Sequence, residues 1–563
     1  MSRIRFRALA LVGIGAFVAF ACGGGGGSTG QDLATDQTLH TTIKDDIGTL
    51  DPGHVSSGVD ISFTQQIFSG LYKFDQNLKV QPDIASGMPD VSSDGKTYTF
   101  HLRKGAKFWN GDPITSKDFL YSWNRAAYLA DAYSTVFQPV VGYSAVAPDD
   151  PKAPKAKTMD GLTAPDDYTI KAQLTDPAGY WLTELALWTA NVVDQKVIGD
   201  YTDQNNQANN IWWTKPETAV GSGPFKMTQR TAKQSMEFKP VDGWWGGSPG
   251  SLTDVKVEIG VDEVSAVKKF ESGGYDIYGF ANQSPSVDDI LRYKGDPTKK
   301  KLLHIYPSAR SSWLGFNFQQ GPFKGIAEGH DGRQAFANAI DRSQIVDIGC
   351  GKGATCTAAN GGLIAKGLKA YLGDNTDPLA KFDPSAAKAE YQKWDPNGAK
   401  VQGLKLSYNT NAVNDTLYGN VQSQIRANLG VSFAMDPSDF PSLIKKRNAK
   451  QALMFRDSWG ADYDHPQDWF DNLFVCAQAK PGGQNSAGYC NPQVDQLVQK
   501  ADTQPIDQAI PAYKQAQQQM IKDAFDAPLT YGTQTYLSQT YVTGSGYNSL
   551  YDYSWTGYKI LKH

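Results

Sequence analysis

At 563 residues the chain is too long for one ordinary domain, and length alone suggests roughly two to four. Hydrophobic residues make up 40% and charged residues 20%, the proportions of a globular protein with real cores. The formal net charge of -4 argues against a nucleic-acid binder, which carries a basic face, and the short runs Lys299–Lys301 and Lys445–Arg447 do not reverse it. Aromatic residues reach 12%, an excess that either fills cores or lines a cleft.

The opening stretch, MSRIRFRALALVGIGAFVAFACGGGGGSTG, carries Arg3, Arg5 and Arg7, an apolar run from Ala8 to Ala21, and then Cys22. A charged leader, an apolar stretch and a small residue before a cut form a secretory signal. The run, at about 14 residues, falls short of the ~20 that span a bilayer. Residues 1–21 therefore read as a signal peptide. Cys22, directly after it, resembles the lipidated first residue of a bacterial lipoprotein, although Ala19-Phe20-Ala21 departs from the usual Leu-containing pattern. The Gly-rich residues 22–31 read as a flexible tether between a membrane anchor and a folded body.

Residues 95–104, GKTYTFHLRK, put Tyr98, Phe100 and Leu102 on one face, which predicts a half-buried strand with His101 on its polar side. The 202–216 stretch is polar and then aromatic, an excursion to which the sequence assigns no role. Residues 331–348 read as one helix with a Phe336, Ala339 and Ile340 stripe, ended by Gly349. From 404 to 458 the pattern is strand (404–408), helix (414–429), strand (431–435), helix (to Asn448) and strand (452–455). Asn414 or Asp415 caps the first helix and Gly430 ends it; Ser438 or Asp439 caps the second, with Pro441 in its first turn. That order predicts parallel pairing, and ligands of such sheets bind beyond the carboxyl ends of the strands. Asp462 stands just there, in RDSWGADYDHPQDWF (456–470), between Trp459 and Tyr463. Helices over 492–501 and about 508–525 follow, and then a strand-rich segment, 529–560.

Besides Cys22 there are four cysteines in two local pairs. In an exported chain such pairs form disulfides, and proximity selects Cys350–Cys356 and Cys476–Cys490. No GxSxG, HExxH, P-loop or GxGxxG motif occurs. The Asp pairs at 45–46, 149–150, 166–167 and 288–289 read as solvated turns, not as the facing carboxylates of a glycosidase. His465 with Asp462 and Asp464 is a weak metal cluster. The chain reads as a non-enzyme with no cofactor and no metal; the rival reading, a secreted hydrolase, lacks a nucleophile with a base.

Six blocks, in order, carry a resemblance. They are TLDPG (49–53), the long stretch 66–125, GSGPFK (221–226), the stretch 313–342 from WLGFNFQQGPF to RQAFANAIDR, SWGADYDHPQDWF (458–470) and YCNPQVDQLVQKA (489–501). Together they resemble the extracellular solute-binding proteins of bacterial peptide importers, the oligopeptide/dipeptide/nickel-binding family 5. The resemblance implies an α/β, periplasmic-binding-protein-like fold: two lobes with a hinge and an extra third domain. Carried onto this chain, lobe I takes 32–68, 217–308 and 534–563, the extra domain 69–216, and the other lobe 309–533. It implies a monomeric receptor, lipid-anchored outside the cytoplasm, that captures oligopeptides and delivers them to the transmembrane permease subunits of an ABC importer. Asp462 matches the aspartate that pairs with a peptide's α-ammonium, a group every unblocked peptide offers. Trp459, Gly460 and Tyr463 are then expected to line the same wall, and Ser57, Gly58 and Tyr133 the opposite one. Some relatives carry oligosaccharides or metal chelates, which keeps those cargoes as the alternative. His465 stands where the family often has an acid before the motif proline, and no residue matches for a ligand carboxylate.

Overall fold

A computed structural model describes residues 32–563 except 132, 151, 282, 545–547 and 551–553. The signal peptide 1–21, the 22–31 tether and Cys22 lie outside the described residues.

Three sheets organise the chain. In the first, Thr38–Ile43 pairs parallel with Asp254–Ile259, and Ser235–Pro240 and Phe225–Thr231 follow antiparallel. Leu39, Val255, Val257, Phe238 and Phe225 alternate inward, and the Gly58–Ile67 helix covers them. Trp555, from the far end of the chain, closes this core against Phe63, Phe225, Phe238 and Phe280. Early, middle and last segments thus share one core.

The second sheet, of antiparallel strands, has the order Asp90–Val91, Thr97–His101, Thr169–Gln173, Leu162–Asp166. Tyr98 and Phe100 point into a core around Trp123 and Trp181, while His101 is exposed, as the alternation predicts.

The third sheet has seven strands: Ile277–Tyr278, Asp526–Ser538, Leu303–Phe316, Met454–Gly460, Lys405–Asn409 and Ala434–Ser438 in order, with Cys356–Ala358 beside Asp526–Ser538. Lys405–Asn409 pairs parallel with both Ala434–Ser438 and Met454–Gly460, as expected. The expected 431–435 strand lies three residues later. Val431 and Phe433 are buried as anchors of the preceding loop, and Pro437 is tolerated because this strand is the sheet's edge. Leu303–Phe316 and Asp526–Ser538 are unusually long and antiparallel to each other. Tyr536 lies in the core of the first sheet and Leu529 in that of the third, so this pair of strands runs from one core to the other.

The helix expected over 331–348 is two, His330–Asn338 and Arg342–Gly349. Asp341 restarts the chain as a cap by accepting from the Ser343 N–H, and Arg342 turns inward to donate to the carbonyls of Ala337, Ile340 and Pro528. The helix expected over 414–429 begins at Ala412, capped by Asn411 rather than Asn414 or Asp415, and ends on Gly430 with φ 77°. Pro492–Asp502 and Ile506–Lys522 are helices. The structure joins Cys350 to Cys356 and Cys476 to Cys490. No helix among the described residues is long and apolar enough to cross a membrane.

The 202–216 stretch folds as two short turns, Ala208–Ile211 and Trp212–Thr214. Its role is polar closure. Asp51, from TLDPG, and Arg125 form a fully buried bidentate pair, with 2.8 and 2.5 Å contacts. The Trp212 indole donates to Asp51 at 3.0 Å, and the Asn209 amide oxygen accepts from Arg125 at 2.8 Å. Burial alone would raise the Asp51 carboxyl; Arg125 overrides it and holds the group below its usual range.

Candidate functional site

Asp462 lies two residues beyond the end of the Met454–Gly460 strand. It lines a cavity of about 170 Å3 with Ser56, Gly58, Ile61, Tyr133, Trp188, Arg310, Gly460, Ala461 and Leu550. These come from the helix over the first sheet, from the second sheet's domain and from the third sheet, so the cavity sits where all three meet. It is smaller than a whole ligand site of roughly 300–1,000 Å3, with room for one end of a ligand rather than all of it.

The Tyr133 hydroxyl donates to Asp462 Oδ1 at 2.8 Å, and Tyr133 in turn packs edge-on against Trp188, ring centroids 4.7 Å apart. Asp462 Oδ2 has no protein donor among the described residues. Behind Asp462 lies Asp468, completely enclosed; its Oδ2 accepts from the Asp462 N–H and the Trp459 indole, both at 3.1 Å. Burial, and then the charge of Asp462, push the Asp468 carboxyl far above its usual range. Burial also raises Asp462, but the Tyr133 hydrogen bond and the Arg310 charge oppose it. Of the two carboxyls Asp468 is therefore the one held higher, and Asp462 is the more acidic member of the pair.

The neighbouring backbone is equally specific. Ala461 N–H donates to Ala309 O at 2.7 Å, and Ser311 faces Trp459. By the alternation of an antiparallel ladder, Ser458 and Gly460 then point their N–H and C=O groups away from the Leu303–Phe316 strand. On that outer side Lys405–Asn409 pairs only as far as Phe455. The Ser458 N–H is taken by the Asp457 carboxylate. The Ser458 C=O and both backbone groups of Gly460 have no partner among the described residues. An unpaired strand edge thus leads directly to Asp462.

The expected site residues divide. Gly460, Tyr133, Gly58 and Asp462 line the cavity. Trp459 supports it from behind through Asp468. Two expectations are corrected. Ser57 does not line the cavity: its hydroxyl caps the Gly58–Ile67 helix by accepting from the Asp60 N–H, and its neighbours Ser56 and Gly58 face the space instead. Tyr463 also turns away. It joins the core of the second sheet's domain, donates to Glu184 Oε1 at 3.1 Å and contacts Gln467 Oε1. The chain bends at 462–464, past the strand end, and there Tyr463 is drawn into that core while Asp462 stays at the cavity. Sequence reasoning missed Arg310, Trp188 and Leu550; Arg310 lies three residues before the WLGFN block, and only strand register brings it to Asp462.

His465 is buried between the rings of Tyr180 and Tyr513, and burial drives its imidazole down to about 3, so it is neutral. Its Nδ1 accepts from the Gln467 N–H at 3.1 Å. Asp464 is paired with Lys369 at 3.1 Å. Among the described residues no three His, Cys, Asp or Glu side chains gather to hold a metal.

The family profile described as "Bacterial extracellular solute-binding proteins, family 5 Middle" matches residues 79–481. The chain belongs to that family. Among its relatives, the oligopeptide-binding protein OppA of Bacillus subtilis is 27% identical over 516 residues, 89% of each chain. Among solved structures, the unliganded open form of the periplasmic murein tripeptide binding protein MppA superposes with a TM-score of 0.80 at 23% identity, covering 95% of this chain and 99% of that one. OppA of Haemophilus influenzae, in complex with the peptide RPPGFSPFR, gives 0.68 at 21%, covering 94% and 100%. These likenesses establish the periplasmic-binding fold for this family 5 chain.

Proposed function

We propose that this family 5 protein is the extracytoplasmic peptide receptor of an ABC importer, held at the membrane through a lipid on Cys22 and working as a monomer. The observation that carries the reading is Asp462: the more acidic of two neighbouring carboxyls, its Oδ2 without a donor among the described residues, at the end of a strand edge unpaired among them. A peptide can add as a strand along Ser458 and Gly460, held through its backbone with little side-chain selection, and end with its ammonium on Asp462. The names of the B. subtilis relative and the H. influenzae complex support a peptide cargo.

In this reading lobe I comprises 32–68, 217–308 and 534–563, the extra domain 69–216, and the second lobe 309–533. The long strands Leu303–Phe316 and Asp526–Ser538 are the connection about which the lobes close. Peptide stabilises the closed form by its greater affinity for that form, and the permease reads closure.

The test is a calorimetric titration with trialanine and its N-acetylated form. Trialanine is expected to bind at least tenfold more tightly, the order of one charge-assisted contact. Equal affinity overturns the role of Asp462, and failure of both to bind overturns the peptide reading.

A further inference from the structure

Arg310 shares the cavity with Asp462, yet the two are not paired: no ion pair within 4.0 Å joins Arg310 to any carboxylate among the described residues, and its guanidinium makes no hydrogen bond there. The side chain is exposed. Its placement is built by the sheet. Along Asp526–Ser538, Thr533 faces Pro307 and Tyr531 faces Ser311, so residues 308–310 bulge out opposite Gly532 alone. Bulges re-aim side chains, and they concentrate next to sites. On the other flank Arg310 registers against Gly460 in a non-hydrogen-bonded pair, the closer kind for side chains.

Both flanking residues are glycines. A Cβ on Gly460 would lie 3.0 Å from Arg310 Nη2, and one on Gly532 would lie 3.3 Å from Arg310 Cβ. Neither glycine has a positive φ, so what each supplies here is room, not backbone freedom. The guanidinium lies across Gly460 at the mouth of the cavity.

A carboxylate and a guanidinium that share a cavity without neutralising each other favour a ligand end bearing both charges. A bare ammonium gains from Asp462 but is repelled by Arg310. The first residue's own carboxyl is consumed in the peptide bond, so the anion must come from a side chain close to the ammonium. We propose that Arg310 is a specificity-determining residue that selects peptides with Asp or Glu at the first or second position, binding that side-chain carboxylate while Asp462 holds the ammonium. Its planar fork suits a carboxylate bidentately. The inference rests on the peptide reading given above.

The experiment titrates Glu-Ala-Ala, Ala-Glu-Ala and Ala-Ala-Glu, which have equal net charge, together with trialanine, into the wild-type protein and Arg310→Gln. Wild type is expected to bind Glu-Ala-Ala or Ala-Glu-Ala about tenfold more tightly than both Ala-Ala-Glu and trialanine, the order of one charge-assisted pair. In Arg310→Gln, with an unchanged melting curve, that preference falls below about twofold, while Arg310→Lys retains part of it. Peptides that bind wild type without such a preference, or a preference that survives in Arg310→Gln, overturn the role of Arg310 and leave the peptide reading standing. No binding by any of the four overturns the peptide reading and this proposal with it.

Discussion

Replacing Asp462 by Asn removes the charge and keeps the shape, so Tyr133 can still donate to the side-chain oxygen. At a contact of about 3 Å and an effective dielectric near 20, a carboxylate–ammonium pair is worth ~5.5 kcal/mol before hydration is subtracted. Removing one member of a buried pair costs on the order of 3–5 kcal/mol. Asp462 is half-buried, already accepts from Tyr133 and feels the charge of Arg310 at a distance, which places it at the lower end. About 3 kcal/mol corresponds to a loss of roughly 150-fold in affinity. The assay is a four-way calorimetric cycle: wild type and Asp462→Asn, each with trialanine and N-acetyl-trialanine. The free peptide should lose about 150-fold on substitution and the acetylated peptide under about threefold, because its partner charge is already gone. If Asp462→Asn weakens both peptides equally, Asp462 supports the wall but does not read the ammonium.

Three further predictions concern the frame. Asp51→Asn leaves Arg125 buried without a countercharge, and chemical denaturation should show a loss of about 3–5 kcal/mol; a loss below about 1 would mean that Asn209 and Trp212 suffice. Burial raises Asp471 to about 6, and burial together with Asp471 raises Asp502 to about 8, so the native state holds protons that the unfolded chain releases. Stability should therefore fall as pH rises from the ordinary carboxyl range towards 8, by up to about 2.7 kcal/mol per pH unit below 6, where both groups hold protons, and up to about 1.4 between 6 and 8, and level off above. Asp502→Asn, which can still donate to Asp471, should flatten that slope in melting curves; parallel slopes for the two proteins would refute the assignment. Replacing Cys476 and Cys490 by Ser opens a loop with a sequence separation of 14, and denaturation should show about 3 kcal/mol lost.

Much of the third sheet was legible because periodicity is local. The strand–helix alternation around 404–458 and the Gly430 stop follow from side-chain spacing and one left-handed residue. The split at Asp341 was hidden because an apolar stripe continues across it, and what breaks the helix is Arg342 reaching for carbonyls as far away as Pro528. The candidate site was legible at Asp462, whose motif is continuous in sequence. Arg310 was not, because its meaning depends on a bulge and two glycines, one 150 residues and one 222 residues further along the chain. Tyr463 misled because sequence adjacency to Asp462 suggests a shared wall, whereas its ring is taken by the core around Trp181 and by Glu184.

The contact from Tyr463 to Glu184 bears on how this molecule can be recombined. Glu184 is enclosed, its Oε2 has no partner among the described residues, and burial holds its carboxyl far above the usual range. Tyr463 enters the core of a segment separated from it by almost 280 positions. The second sheet's core is thus riveted to the segment that carries Asp462. A chimera that exchanged the domain of the second sheet with a relative's would strand a buried carboxyl on one side and a phenol on the other, unless both halves of the rivet travelled together.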